Sequence, residues 1–276
     1  MQISSVAIIG GLGKTGGRVA RRLKDRGIDV RAASRSTAPS FDWQDRGTWH
    51  AALTGVAVAY VAFQPDLAVA WAAEAISALA KTAADAGVGH IVLLSGRGEN
   101  GAVRSENELK AVGVDYTVLR ASWFNQNFSE GAFLDQLHQG KLALPVGDVP
   151  EPFVDADDLA DVAVEVLTNP RHRNQTYELT GPRALTFREA VSEIAAASGR
   201  TMEYETVPVD AFIAGLTAAG LPLETIDILH ELFTQVLDGR NSNVTDGVRQ
   251  VLSRRPKDFA DYARETAATG IWSIQQ

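Results

Sequence analysis

The sequence predicts an α/β fold: a doubly wound parallel sheet followed by a smaller, mostly helical C-terminal lobe. Three observations carry that expectation. Runs that are apolar almost throughout alternate with helical patterns across the first half, as parallel strands covered on both faces do. The first run leads, in "VAIIGGLGKTGGRVARRLKDRG", through three spaced glycines into a basic amphipathic helix. Beyond Arg120 the rhythm changes to helices separated by a few short strands.

Val6 to Ile9 is the first strand. Thr15 to Arg26 is the first helix, with Val19, Ala20 and Leu23 at helical spacing and Gly27 as its stop. "IDVRAAS" is the second run and "VAVAYVAF" (Val56 to Phe63) the next strong one. A long Ala-rich helix, roughly Leu67 to Ala86, ends at Gly87. "HIVLLSG" (His90 to Gly96) is a buried-type strand, "RSENELKAVG" a short helix closed by Gly113, and "DYTVLR" (Asp115 to Arg120) a further strand. Phe153–Val154 then reads as a short strand. A helix follows from about Asp157, capped by Asp155 or Asp157, with Pro170 beyond its end. "TYELTGP" is a strand, and "TFREAVSEIAAASG" a helix with a capping box of Thr186 and Glu189 and a stop at Gly199. "MEYETV" is a strand. The rest is helical: "VDAFIAGLTAAG", a longer helix after Pro222 and two short ones around Pro256. This tail is expected to cover the sheet's C-terminal edge, with the two lobes interleaved along the chain.

The composition is that of a globular protein, with 45% hydrophobic and 22% charged residues. A net charge of −8 argues against general nucleic-acid binding. The local basic cluster (Arg18, Arg21, Arg22, Lys24, Arg26) reads as a solvated helix face. The absence of cysteine excludes thiolate metal sites, disulfides and cysteine nucleophiles. The N-terminal residues show no targeting pattern, and the longest apolar tract, Leu67 to Ala80, carries Glu74 and is too short to span a bilayer. A cytoplasmic protein with no membrane partner is expected, as a monomer or a homodimer.

Gly10, Gly13 and Gly16 follow a strand and open a helix. The first allows a sharp turn, the second a close backbone approach to a pyrophosphate, and the third tight packing of helix on strand. The helix N-terminus at about Thr15 offers free N–H groups to an anion. An acid at the end of the second strand would hold the ribose diol of NAD. Here "VRAASRS" offers Ser34 and Arg35 instead, and a guanidinium suits a 2′-phosphate. With Lys14 in the turn, this favours NADP(H) over NAD(H).

Five blocks in order, "IIGGLGKTGGRVARRL", "HIVLLSGRG", "DYTVLRASWFNQNF", "PFVDADDLADVAVEVL" and "YELTGPRALTFREA", resemble the NmrA-like, NAD(P)H-binding atypical short-chain dehydrogenases. The resemblance covers nearly the whole chain and is closest to the quinone oxidoreductase-like and triphenylmethane reductase-like group. It implies a Rossmann-type sheet, NADP(H) bound across its C-terminal edge and a small substrate lobe. Residues 1–150 would form the NADP(H)-binding domain, with 151–182 returning to the sheet, and 183–276 the substrate lobe. Carried over residue by residue, Gly10, Leu12, Gly13, Lys14, Thr15 and Gly16 would line the pyrophosphate. Ser34 and Arg35 would meet the adenosine phosphate. Asp42 and Trp43, after a short third strand, would lie near the adenine. Ala62, Phe63 and Gln64 would pass along the ribose. Ser95 and Gly96 would face the nicotinamide side, and Ala121 and Ser122 would follow on the cofactor. Ala121 stands where the family commonly has proline. Trp123, Phe124, Asn127 and Phe128 would line a substrate pocket.

Typical members of the wider group use a Tyr-x-x-x-Lys pair, whose lysine lowers the tyrosine's pKa. Here those positions hold Ala102 and Glu106. The resemblance therefore implies either a reductase of a small aromatic or quinonoid substrate working without the dyad, or a non-catalytic NADP(H) sensor acting through a protein partner. An enzyme in which the dinucleotide is only structural is a third reading. Ser95 is the one candidate catalytic group, as a donor to a substrate carbonyl, against a role capping the next turn. Trp123, Phe124 and Phe128 are a substrate floor or simply core, and Asn125 and Asn127 are donors or loop organisers. "DADD" at 155–158 is better explained by helix capping than by a metal. The five histidines show no ligand spacing, so no metal is expected.

Overall fold

A computed structural model describes residues 5–131 and 133–273. In chain order its first elements are β1 (Ser5–Ile9), α1 (Lys14–Asp25), β2 (Asp29–Ala33), α2 (Trp49–Leu53), β3 (Val58–Val61), α3 (Ala72–Asp85), β4 (His90–Gly96), α4 (Asn100–Val112) and β5 (Asp115–Ala121). Then come α5 (Phe133–His138), β6 (Lys141–Leu144), α6 (Ala156–Thr168), β7 (Gln175–Leu179), α7 (Phe187–Ser198), β8 (Glu203–Thr206), α8 (Val209–Ala218), α9 (Leu223–Glu231), α10 (Gly247–Leu252) and α11 (Phe259–Ala268). Among the described residues no helix is long and apolar enough to cross a membrane.

The chain divides into two compact units. The first takes the chain through Ala121, with Ala156–Leu179 and Gly247–Arg254 returning to it. Its six strands run in the order β2-β1-β3-β4-β5-β7, and every pairing is parallel. Val6 to Ile9, Val58 to Val61 and Ile91 to Leu93 are buried, as the unbroken apolar runs require. β1 has β2 on one side and β3 on the other, so the direction of winding reverses at β1. In open α/β sheets ligands bind at the carboxyl ends of the strands at such a point.

Charge holds the helices of this unit together. Arg22 of α1 donates to Asp157 and Asp161 of α6, both at 2.7 Å. Arg18 lies 3.3 Å from Asp157. Arg254, after α10, donates to Asp158 at 2.5 Å and to Asp161 at 2.7 Å. Arg18 and Arg22 are therefore not part of a solvated face, as the sequence alone suggested. Asp157 of "DADD" serves as their counter-charge, and Asp158 as that of Arg254.

The second unit comprises Ser122–Asp155, Thr180–Asp246 and the chain from Arg255 onward. Its core is aromatic: Phe128, Phe133, Phe153, Phe187, Phe233, Phe259, Tyr262 and Trp272 are all buried. β6 pairs with β8 in a small parallel ladder. The expected capping box is present: Thr186 accepts from Glu189 N at 3.1 Å, and the Glu189 carboxylate accepts from Thr186 N at 2.8 Å. The first segment of the first unit thus ends at Ala121, not near residue 150. Phe128, Phe133 and Phe153 commit residues 122–155 to this aromatic core, and β6 finds its strand partner here. The short third strand expected before Asp42 is absent: no strand lies between β2 and Asp42. Residues 34–41 close on themselves, with Thr37 N and Phe41 N both donating to the Ser34 carbonyl. Pro39 within that span cannot extend a ladder. α3 begins at Ala72, because Leu67 to Trp71 lie in turns in which Val69 N donates to the Asp66 carbonyl.

One buried group makes stability depend on pH. His90 starts β4, and its Nε2 lies 2.8 Å from Thr117 Oγ1. Burial, and then the nearby charge of Arg173, lower its pKa from the ordinary 6.5 to about 4, while Asp115 opposes the shift. The unfolded chain takes up a proton below about pH 6.5 and the folded one does not. Stability is therefore full above that pH and is lost as pH falls toward 4. At pH 5 the loss from this residue is roughly 2 kcal/mol, or about 4–8 °C in melting temperature. Thermal melts at pH 7 and pH 5 should show that drop, and His90→Gln should flatten it.

Candidate functional site

The turn after β1 is built by close approach. Gly10 has φ +79°, the left-handed region that favours glycine. Its carbonyl accepts from Gly13 N at 2.9 Å. A Cβ on Gly10 would stand 3.1 Å from the Ala62 carbonyl oxygen at the end of β3. A Cβ on Gly11 would stand 2.8 Å from the Ala32 Cβ in β2, and one on Gly16 would overlap the Gly10 carbonyl. Gly11 is a fourth required glycine that the three-glycine pattern leaves out. Gly13 is the N-cap of α1, so no side chain caps the helix, and its first turn holds no acid. The amides of that turn form the positive end of the helix dipole beside the ends of β1, β2 and β3. Lys14 and Thr15 begin the helix, and Leu12 at the tip of the turn is 65% exposed. Beneath it Tyr60 is fully buried, and burial pushes its phenol pKa up.

At the end of β2, Ser34 N donates to Thr37 Oγ1 at 2.9 Å, and the Ser34 and Ser36 hydroxyls lie 3.2 Å apart. Arg35 is exposed and pairs with no described residue, and no acid stands beside it. Asp42 and Trp43 lie in the following loop. Trp49 Nε1 donates to the Asp42 carbonyl at 2.7 Å. The Trp43 ring is 4.5 Å from that of Phe63, which is 4.8 Å from that of Trp71. A cleft of about 230 Å³ is lined by Trp43, Gln44, Arg46, Trp71, Glu74 and Ala75. Phe63 is buried in this aromatic row, while Gln64 is exposed and Ala62 partly so. Trp49 and Trp71 complete the row.

The ends of β4, β5 and β7 carry a charged chain. Ser95 Oγ donates to Glu106 Oε1 at 2.7 Å. Arg120 grips the same carboxylate with Nε and Nη2, at 2.8 and 2.7 Å. Arg120 also lies 3.6 Å from Glu178, which accepts from the buried Arg97 at 3.0 Å. Glu106 is fully buried at the former lysine position, and Ala102 is fully buried at the tyrosine position. Ser95 therefore has its proton committed to a carboxylate, contrary to the donor role foreseen for it. A Cβ on Gly96 would meet the end of the Glu99 side chain, which would have to move aside. Glu99 is also hydrogen-bonded to Asp66, whose carboxyl burial raises above the usual range.

The remaining expected residues belong to the second unit, apart from Ala121, which ends β5. Trp123 and Phe124 are half-buried. The Trp123 ring meets those of Phe233 at 5.4 Å and Phe187 at 5.7 Å. The Ser122 hydroxyl and Asn125 Oδ1 are buried without a hydrogen-bond partner, and Asn127 is half-buried. Phe128 is fully buried among Phe133, Phe153 and Phe259, with ring separations of 5.4 to 5.5 Å. Its ring packs in the aromatic core, one of the two roles the sequence left open for it. No group of three or more metal-ligating side chains occurs among the described residues.

The family model described as NmrA-like matches residues 2–263. A curated relative, the NAD(P)H azoreductase of Xenophilus azovorans, is 29% identical over 95% of this chain and 98% of its own. Among solved structures, an NADPH-dependent quinone oxidoreductase from Escherichia coli, complexed with NADPH, aligns with a TM-score of 0.75. It is 22% identical and covers 94% of this chain and 99% of its own. A negative transcriptional regulator of the NmrA type, in complex with NADP, aligns with a TM-score of 0.73 at 17% identity over 100% of this chain and 99% of its own.

The two adjacent glycines of α1 should behave oppositely. Gly16→Ala drives a methyl into the Gly10 carbonyl and is expected to cost about 1–3 kcal/mol. A Cβ on Gly17 would meet nothing closer than the Gly11 carbonyl at 3.7 Å. Gly17→Ala should therefore stabilise the helix by up to about 1 kcal/mol. Urea denaturation of the two variants measures both signs.

Proposed function

Because the chain belongs to the NmrA-like family, we propose that it is an NADP(H)-dependent oxidoreductase that reduces a small aromatic or quinonoid substrate by hydride transfer, without a Tyr-x-x-x-Lys dyad. One observation carries the cofactor choice. Arg35 is exposed, partner-free and flanked by Ser34 and Ser36 at the end of β2, where no acid stands to hold a ribose diol. The glycine turn fits a diphosphate for an independent reason: Gly10, Gly11 and Gly16 leave no room for side chains, and the first turn of α1 is uncapped. The name of the azoreductase relative supports reduction as the activity.

On this reading the amides from Leu12 to Thr15 bind the diphosphate, and Lys14 adds charge. Ser34 and Arg35 hold the 2′-phosphate. Asp42 and Trp43 meet the adenine, and Ala62, Phe63 and Gln64 the ribose. Ser95, Gly96, Ala121 and Ser122 serve the nicotinamide side. Trp123 and Phe124 offer aromatic faces to a flat substrate, with Asn127 beside them. When bound, the reduced dinucleotide supplies the hydride. The protein's part is to hold and orient. One observation favours the alternative of a redox sensor acting through a protein partner. Ala102 and Glu106 replace the dyad, and the Ser95 hydroxyl donates its hydrogen bond to Glu106.

Arg35→Ala should weaken NADPH binding by about tenfold or more, the scale of a lost charge-assisted contact, and leave NADH binding unchanged. Fluorescence titration of both cofactors checks this. Equal binding of NADH and NADPH by the unaltered protein would remove the phosphate reading. NADPH oxidation should then be followed against a panel of quinones. Tight NADPH binding with no turnover on any acceptor would favour the sensor.

A further inference from the structure

The carboxylate at the old lysine position sets the hydrogen-bonding polarity of Ser95. A serine has one proton to give and two lone pairs to receive with. Ser95 gives that proton to Glu106 Oε1 at 2.7 Å. Glu106 is fully buried and accepts from the Arg120 fork at 2.8 and 2.7 Å, so both of its oxygens face donors and neither is placed to donate to Ser95. Rotating the hydroxyl away would strip a bond from a buried anion, a costly change. Arg120 is itself steadied by Glu178, and Lys110 stands 3.7 Å from the second Glu106 oxygen. No N–H or O–H among the described residues donates to Ser95 Oγ, although Ser95 is only 4% exposed. The residue is therefore a fixed acceptor at the C-terminal end of β4.

We propose that Ser95 determines ligand specificity by accepting a hydrogen bond from the primary carboxamide of a nicotinamide ring, and that Glu106 is the positioning residue that holds it in that role. This rests on the dinucleotide reading above and deepens it. An acceptor locked in this way selects a ring that carries an amide over one that carries a ketone, because a ketone has no proton to donate. It also gives a chemical task to a carboxylate standing where the dyad's lysine would be: Glu106 does not move protons but removes one from play.

The test is binding, not turnover. The full chain is titrated by tryptophan fluorescence with four probes: NADP, its thionicotinamide analogue, its acetylpyridine analogue and 2′-phospho-ADP-ribose. The thio analogue keeps the NH₂ group, the acetyl analogue lacks it, and the last lacks the ring. The unaltered protein should bind the two NH₂-bearing probes about threefold to tenfold more tightly than the acetyl analogue, the worth of one hydrogen bond. Ser95→Ala should erase that preference and leave phospho-ADP-ribose binding unchanged. Glu106→Gln presents an amide N–H to Ser95 and frees its proton, so the preference should shift toward the acetyl analogue. If Glu106→Gln does not fold, Ser95→Ala decides alone. Equal binding of the amide and acetyl forms by the unaltered protein, or a preference that survives Ser95→Ala, overturns the proposal while the dinucleotide reading stands. Failure of all four probes to bind overturns the dinucleotide reading and the proposal with it.

Discussion

The approach of Gly16 to the Gly10 carbonyl is the constraint on which the first unit's site depends. A helix can lie that close to the strand feeding it only if the facing residue has no side chain. The result is that the uncapped first turn of α1 is pinned at the end of β1, where β2 and β3 also end. Packing sets the position of those amides before any ligand arrives. The ion pairs from Arg18 and Arg22 to Asp157 and Asp161 extend that rigidity along the helix, tying α1 to α6. Such pairs contribute modestly to stability when exposed. Here they are part-buried and share acids with Arg254, so their larger effect is to fix helix orientation.

Much of this was legible in the residues because local signals and global packing agreed. β4 spans His90–Gly96 as the apolar run suggests, and the Thr186–Glu189 capping box starts α7 where the sequence puts it. The misreadings came where a local pattern was overruled by contacts far away in sequence. The rhythm changes beyond Arg120, yet no local pattern there shows that Phe128, Phe133 and Phe153 pack against Phe187 and Phe259. The basic cluster of α1 looked solvated because its partners lie about 140 residues downstream, and a charge run alone does not reveal its counter-charges.

The site was legible in the same uneven way. Glycine spacing pointed to the turn, and a missing acid pointed to Arg35, because both are features of adjacent residues. Gly11 escaped notice because the need for it lies in Ala32, on another strand. Phe128 looked available because sequence gives its distance from a strand end but not the direction of its ring. Glu106 could be named only as a loss, a position where lysine was absent. Its gain, a triple contact with Ser95 and both prongs of Arg120, required the strands to be placed side by side.

That triple contact separates holding a cofactor from doing chemistry with it. A proton donor at the end of β4 would need a group whose proton is loosely held and whose conjugate base is tolerated there. Ser95 meets neither condition, since its hydroxyl is engaged in a hydrogen bond to a buried carboxylate that also accepts two bonds from Arg120. Ala102 has nothing to offer. On the reading proposed above, hydride transfer on this scaffold would suit acceptors that need little help from a protein acid at that point, and a quinone or a stabilised cation is of that kind. A substrate carbonyl needing strong polarisation is not. The same arrangement that narrows the substrate class would cost a sensor nothing, because a sensor needs only to tell one dinucleotide state from another. Fixed acceptors and exposed cations suffice for that, and catalysis demands more of the substrate than of Ser95.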